Sequence, residues 1–419
     1  MGDSKDGGLL RSLRVLDLSD EKGYLCGKVL GDLGADVIKI ETPGGDPGRR
    51  IGPFYHDIVD PENSLYWFAY NANKRSITLN IEASDGQEIF KAMVKKADFL
   101  IESFYPGYLA SLGLAYEDLV KIKRDLIMVS ITPFGQTGPY KDYKGSDLVC
   151  AAMSGFMSSC GDPDRAPLRI GFPQAYLHAG AEAAAGAMIA YYYRETTGEG
   201  QHVDISAQQA IFWALGHILA FWDLHKEVMG RVGQFRIGLS ADAKQRQLWR
   251  CKDGYVSFQI YGGRFGAKSN RAIVDWMKTE GMADEFLLGI NWEEFDMARV
   301  DQALMDRIEE PIGKFLLTKT MAEFEEAAIE RDIVIFAVNT FEKIVNHPQL
   351  RARNFWVDVM HPELKTTITY PVAFIKLSEI PLQMYRCAPL IGEHNEQIYL
   401  KELKFSRAKL VQLKQARII

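Results

Sequence analysis

Few of the residues able to do chemistry stand in recognisable constellations. The eight histidines, at positions 56, 178, 202, 217, 225, 347, 361 and 394, show no metal-ligand spacing, so no metal site is expected. The five cysteines, Cys26, Cys150, Cys160, Cys251 and Cys387, are odd in number, scattered and without a C-x-x-C pair. That argues against a disulfide framework or a structural zinc site, and for buried thiols in a reducing compartment. No P-loop, H-E-x-x-H or G-x-S-x-G is present, and Gly31-Asp32-Leu33-Gly34 falls short of a dinucleotide fingerprint. Two segments remain. Pro43-Gly44-Gly45-Asp46-Pro47-Gly48 follows a strand and could aim backbone N–H groups at an anion; it reads equally well as a tight connecting loop. The segment from Arg169 onward carries His178, a candidate base, and Glu182, while no Asp or Glu lies between Arg165 and Ala181.

The elements that must position such residues alternate in type. Val15–Leu18, Val37–Glu41, Ser76–Asn80, Asp98–Glu102 and Leu126–Ser130 read as buried strands. Between them, Ser84 to Lys96 has helical spacing with Ser84 as N-cap. Alternation of this kind implies βαβ units, a largely parallel sheet and a ligand site at the carboxyl ends of the strands. Residues 179–195 form an alanine-rich helix, stopped by Thr197-Gly198-Glu199-Gly200. A strand at His202–Ser206 and a helix over about 207–227 follow. Residues 228–247, rich in Gly, Arg, Gln and Ser, read as an exposed crossing segment. A second unit opens near Leu248 with a strand at Gly254–Ile260, and helices fill about 267–330. From Ile333 the chain reads as short strands and turns, including Val357–Met360.

Composition sets the outer limits. The 419 residues are 47% hydrophobic and 25% charged, with a formal net charge of -6. A mildly acidic chain with interspersed charges is a poor nucleic-acid binder. No apolar run is long enough to span a membrane, and Met1-Gly2-Asp3-Ser4-Lys5-Asp6 lacks the apolar region of a secretory signal. A cytoplasmic protein is expected.

An ordered series of short motifs adds what no single one carries. It runs from Gly34-Ala35-Asp36-Val37-Ile38-Lys39-Ile40-Glu41 through Asn73-Lys74-Arg75, Pro106-Gly107 and Leu112-Gly113-Leu114 to Phe134-Gly135-Gln136-Thr137-Gly138-Pro139. It continues with Ser146-Asp147-Leu148, Thr197-Gly198-Glu199-Gly200-Gln201-His202, His347-Pro348-Gln349-Leu350 and Pro389-Leu390-Ile391-Gly392-Glu393-His394. In this order, over about residues 12–400, the series resembles the class III (formyl-CoA transferase/carnitine CoA-transferase-like) CoA-transferases. The resemblance implies an α/β fold with a Rossmann-like large domain and an inserted smaller α+β domain, two chains threading through each other as interlocked rings. The large domain would comprise 1–227 and the return segment 331–419, with the small domain at 228–330. Coenzyme A thioesters would be substrates, with no permanently bound cofactor. The resemblance implies CoA contacts at Leu79, Ser103, Phe104 and Lys144, and a glycine loop at Gly262 and Gly263.

Family members move CoA between carboxylic acids by way of a carboxylate. That carboxylate attacks the thioester carbonyl, giving a mixed anhydride and CoA thiolate, and the exchange then runs in reverse on the acceptor acid. Within the family pattern the attacking aspartate follows an Arg-hydrophobic-Gly segment and precedes the Thr-Gly-x-Gly turn. Matched onto Arg169-Ile170-Gly171, that position is Tyr176. A phenol forms no mixed anhydride and is neutral at pH 7. Other departures agree. The loop after the first strand reads Ser19-Asp20-Glu21-Lys22, whose acids repel phosphate, and Thr42 and Ser111 stand where the family often has basic residues. The resemblance thus implies a non-catalytic subunit of a heteromer whose sister chain carries the aspartate. Two-subunit members that process benzylsuccinate in toluene degradation suggest succinyl-CoA as donor and an aryl-substituted succinate as acceptor. The alternatives are an acyl-CoA racemase-like enzyme using His178, with no acid beside it in sequence, and a pseudoenzyme that only binds.

Overall fold

The computed structural model describes residues 8–237, 243–372, 374–382, 384 and 386–419. The N-terminal residues Met1–Asp6 and part of the crossing segment, 238–242, lie outside them. The chain forms two compact units. Met1–Phe156, Ile170–Leu219 and Pro348–Ile419 make the first; Met157–Arg169 and Ala220–His347 make the second.

The first unit is built on six parallel strands: β1 (Arg14–Asp17), β2 (Asp36–Glu41), β3 (Lys74–Thr78), β4 (Phe99–Glu102), β5 (Ile127–Thr132) and β6 (His202–Ser206). Their order is β3-β2-β1-β4-β5-β6. The chain winds outward from β1 to β3, then crosses back to place β4 beside β1. The order therefore reverses between β1 and β4, and a crevice opens past the carboxyl ends of those two strands. Strands β1 to β5 are buried along nearly their whole length. That is why they read as apolar runs rather than as alternation. One face packs Leu16, Ile38, Ile77, Leu100 and Met128 against Phe90, Met93 and Tyr399.

The strands also carry buried charges. The Lys74 ammonium donates to Asp17 Oδ2 at 2.8 Å, and Lys39 pairs with Asp46 at 2.9 Å; all four are buried. Arg49, fully buried, grips Glu41 with two bonds of 2.6 and 2.8 Å, and its guanidinium lies 3.9 Å from the centre of the Trp67 ring. These pairs fix the loops that leave β1 and β2. Gly27 marks the closeness of the packing, since a Cβ there would sit 2.5 Å from Asp17 Oδ2.

The second unit has a sheet of β9 (Leu248–Arg250), β10 (Tyr255–Phe258) and β11 (Ile335–Ala337), all antiparallel, in the order β11-β10-β9. Its core is aromatic, with Trp276 edge-on to Phe315 and Phe324 at 5.1 and 5.6 Å. The expected helices resolve into Gly263–Thr279, Glu285–Leu288, Gln302–Leu316 and Met321–Glu330. The last opens with a capping box between Thr320 and Glu323.

Several local expectations change. Ser84 is the first helical residue of Ser84–Val94, not its cap; the cap is Ala83, which offers no side-chain bond. The alanine-rich helix begins earlier, at Gln174, and ends at Thr197 with Gly198 in the left-handed region (φ 75°), where glycine meets no Cβ penalty. The helix expected over 207–227 is broken by a tight 3-10 turn at Trp213–Leu215 between Ala207–Phe212 and Gly216–His225. The crossing segment contains an antiparallel pair, β7 (Phe235–Ile237) and β8 (Lys244–Arg246). The C-terminal part holds the hairpin β12 (Trp356–His361) and β13 (Thr366–Pro371), but also helical turns at Gln397–Glu402 and Arg407–Gln415.

Candidate functional site

A cavity of about 410 Å³ lies past the carboxyl ends of the central strands, where the reversal of strand order puts it. Leu18, Ile40, Leu79 and Ile81 give it an apolar floor, and Phe104 and Tyr108, 4.6 Å apart between ring centres, form one wall. Its charged lining is Asp20, Glu41, Asp46 and Glu82, with no Lys or Arg. Each carboxylate has a protein partner: Glu41 holds Arg49, Asp46 holds Lys39, Glu82 accepts from the Tyr108 hydroxyl, and Asp20 pairs with Lys22. Of the expected CoA contacts, Leu79 and Phe104 line this cavity. Ser103 sits behind it. Its hydroxyl accepts from the Asp20 N–H at 2.8 Å and donates to Asp20 Oδ1 at 2.7 Å, which ties the loop after β1 to the loop after β4. Lys144 is exposed and is not among the lining residues.

Glu102, at the end of β4, sets the turn into this wall. One carboxylate oxygen accepts the Phe104 N–H at 2.7 Å. Burial, only partly relieved by Ser130 and the Phe104 N–H, pushes its carboxyl up to about 7. Between the unfolded value near 4.5 and about 7 the folded state therefore holds the extra proton, and stability falls as pH rises through that window. Glu102→Gln is expected to flatten this slope and raise stability at pH 8 by roughly 2 kcal/mol. Urea unfolding at pH 5 and pH 8 checks it; equal slopes in both proteins would contradict the assignment.

Tyr176 is not among the residues lining this cavity; it stands in the first turn of the alanine-rich helix and is only 6% exposed. Its N–H donates to Asp147 Oδ1 at 3.1 Å, and its hydroxyl reaches toward the Gly145 carbonyl at 3.5 Å. Burial raises the phenol far above its ordinary value, and Cys150, Glu21, Asp20 and Asp147 all add to the rise. Tyr66 is raised likewise, by burial first and then by Tyr70, Glu21, Asp147 and Asp20. The surroundings of Tyr176 are thus acidic, and Tyr66 feels the same three acids. Sequence reasoning assigned no part to Tyr66, Tyr70 or Cys150. The signal available was Ser146-Asp147-Leu148, where Ser146 caps the helix Asp147–Met153 and so presents Asp147 to the next helix.

The remaining candidates are dispersed. Glu182 lines another cavity of about 730 Å³ with Asp204, Ser206, Gln208 and Trp213, two turns beyond Tyr176 on the same helix. Burial raises its carboxyl, and the positive form of His178, one turn back, lowers it. An acid therefore does stand near His178, at helical rather than sequential spacing. In the second unit, Gly262 and Gly263 open the helix Gly263–Thr279 and line a cavity of about 510 Å³ with Tyr261, Phe265 and Phe295.

Comparison with known proteins agrees with the fold. A family model described as CoA-transferase family III matches residues 10–395. The chain is 35% identical over 395 residues to the succinyl-CoA:(R)-benzylsuccinate CoA-transferase subunit BbsE of Thauera aromatica, covering 93% of each chain. It is 27% identical over 419 residues to the succinyl-CoA–L-malate CoA-transferase beta subunit of Chloroflexus aurantiacus, covering 98% of each. Among solved structures, a CAIB/BAIF family protein from Brucella suis superposes with a TM-score of 0.80 at 27% identity, covering 94% of this chain and 100% of that one.

Proposed function

This chain belongs to CoA-transferase family III, whose substrates are acyl-CoA thioesters, and from that premise we propose that it is the non-catalytic subunit of a heteromeric CoA-transferase. A sister chain supplies the attacking aspartate. Succinyl-CoA is the donor and an aryl-substituted succinate the acceptor, the donor and acid class named for the relative BbsE. The observation that carries the reading is Tyr176, a buried phenol pushed away from ionisation by burial and by the acids around it. Its oxygen cannot form the mixed anhydride, and no Asp or Glu lies between Arg165 and Ala181 to take its place. The cavity lined by Leu79 and Phe104 adds support: its lining offers CoA phosphates no Lys or Arg.

A partner also accounts for an exposed apolar surface on the first unit. The alanine-rich helix is apolar on its outer side as well, with Ile189 and Tyr192 72% and 74% exposed, and Trp213 is 76% exposed. A helix apolar all round is normally covered. Tyr192→Asp combined with Trp213→Asp is expected to weaken association with the sister chain at least tenfold, without altering the circular dichroism of the lone chain. Co-purification of a tagged pair reads this out, and an undisturbed pair would remove this surface from the interface.

The function itself is tested by assaying CoA exchange from succinyl-CoA with the chain alone and after co-expression with a family member that retains the aspartate. Transfer is expected only from the pair, and hydroxylamine should trap the acyl group on the sister chain. Full activity of the lone chain sinks the proposal. Exchange of a substrate α-proton with deuterated water, without transfer, would replace it with racemase-like chemistry.

A further inference from the structure

We propose that His361, Glu363 and Cys387 form a site for a divalent cation of the zinc type, which ties the β12–β13 hairpin to the loop that returns past Cys387. One ligand atom from each residue lies within 4.8 Å of the other two. His361 Nδ1 and Glu363 Oε1 are 2.9 Å apart. Two ligands on a tetrahedral zinc, each at about 2.0 Å, stand roughly 3.3 Å apart, so a small movement admits the ion.

The imidazole is held as a ligand would be. His361 is fully buried, with the Phe68 ring 4.8 Å away and the Tyr370 ring stacked at 5.8 Å and 11°. Its other nitrogen, Nε2, is 2.8 Å from the Tyr370 hydroxyl. That hydroxyl both donates and accepts, so it satisfies either tautomer. Without a cation, Nδ1–H donates to Glu363 and Nε2 accepts from Tyr370. With one, the Nδ1 lone pair faces the ion and Nε2–H donates to the phenol oxygen, the outer-sphere bond that normally orients a metal-binding histidine.

The third ligand is fixed from both sides. Arg386 and Asn73 exchange two bonds, of 3.2 Å from the Arg386 N–H to Asn73 Oδ1 and 3.1 Å from the Asn73 N–H to the Arg386 carbonyl. Beyond the cysteine, the Pro389 carbonyl accepts from Arg49 at 2.8 Å and from Trp67 at 3.1 Å. Glu363 lies on the solvent side, which gives the ion a way in and leaves a fourth position for water. The charges balance: a carboxylate and a thiolate neutralise the dication. Binding shifts the imidazole proton from Nδ1 to Nε2 and expels the Cys387 thiol proton, one per ion. Nitrogen, oxygen and sulfur ligands together select zinc or its neighbours over magnesium or calcium. The sequence hides this site, because its ligands are split between a hairpin end and a loop 24 residues on from Glu363.

Cobalt(II) titration of the chelator-treated full chain tests it. One cobalt per chain is expected, with a thiolate-to-cobalt charge-transfer band, release of one proton, and displacement by zinc. Cys387→Ser should abolish the band. Glu363→Gln, at an exposed position where folding is safe, should weaken zinc binding about tenfold against a competing chelator. Absence of the band from the folded wild-type chain, or its persistence in Cys387→Ser, would overturn the site.

Discussion

Replacing the attacking aspartate of the sister subunit by asparagine is expected to lower CoA transfer by the pair on the order of 10⁴-fold or more, the scale of losing a covalent nucleophile. Tyr176→Phe in this chain should leave the same rate within about twofold. The asymmetry follows from what each group offers. The mixed anhydride needs a carboxylate oxygen, and Tyr176 presents a hydroxyl that makes a long 3.5 Å reach to the Gly145 carbonyl. Losing that contact costs at most about 1 kcal/mol of stability. Steady-state assays with succinyl-CoA, and hydroxylamine trapping of each variant, separate the two subunits. A loss beyond a hundredfold in Tyr176→Phe would give the phenol a direct part in the reaction and defeat the reading of this chain as non-catalytic. Tyr176→Asp is a further control. It restores the residue type but places a carboxylate where burial and Glu21, Asp20 and Asp147 already resist negative charge. Such a group takes a proton rather than attack, so the variant should stay inactive alone and lose roughly 2 kcal/mol of stability at pH 7.

Tyr176 also shows how far sequence reaches. Its address follows from spacing along one segment, which is local information. Its surroundings do not, since Asp147, Cys150 and Glu21 come from other parts of the chain and meet it only through the fold. The same division runs through the molecule. The buried strands β1 to β5 announce themselves as apolar runs, and Gly198 marks a helix end because only its backbone freedom suits the left-handed cap. The helix Arg407–Gln415 escapes notice because Leu410 and Leu413 are its only buried side chains, too few to make a period. Ser84 has the type of a cap and the helix simply begins at it, one residue after Ala83. The bond from Ser103 to Asp20, which joins two loops at the strand reversal, spans 83 residues and leaves no trace in either segment alone. Charged residues within buried strands carry information about these long-range contacts. Asp17 and Lys39 interrupt apolar runs and Glu41 and Lys74 stand at strand ends, all four buried, and that is tolerable only if each finds a partner of opposite charge.

Lys74→Met is expected to destabilise the first unit by about 3–5 kcal/mol at pH 7, the cost of leaving a buried charge without its partner. The Lys74 ammonium donates to Asp17 Oδ2 at 2.8 Å, to the Tyr24 carbonyl at 3.0 Å and to Asn71 Oδ1 at 3.0 Å. Methionine matches the length of the side chain and makes none of these bonds. What remains for Asp17 is Ser19, with bonds of 3.0 and 2.6 Å, and Lys39 at 3.9 Å. The pH dependence identifies the cause. Burial alone raises the Asp17 carboxyl, but in the wild type Lys74 and Lys39 more than offset it and hold it below the usual range. Asp17 then contributes stability above the unfolded value near 3.8, and that contribution fades as pH falls through its lower folded value. Without Lys74 the burial effect prevails, the folded value rises above the unfolded one, and the sign reverses: the variant gains as Asp17 takes a proton. The gap between wild type and Lys74→Met should therefore narrow from pH 7 to pH 4. Combining Lys74→Met with Asp17→Asn should recover part of the loss by removing the orphaned charge. Guanidinium unfolding of the three proteins at both pH values measures each leg. A gap below about 1 kcal/mol at pH 7, or one that does not change with pH, would mean that the pair contributes little to holding the loop after β1. A gap of the expected size makes Asp17 and Lys74 the support for Ser19 and Asp20, and so for the loop that leaves β1.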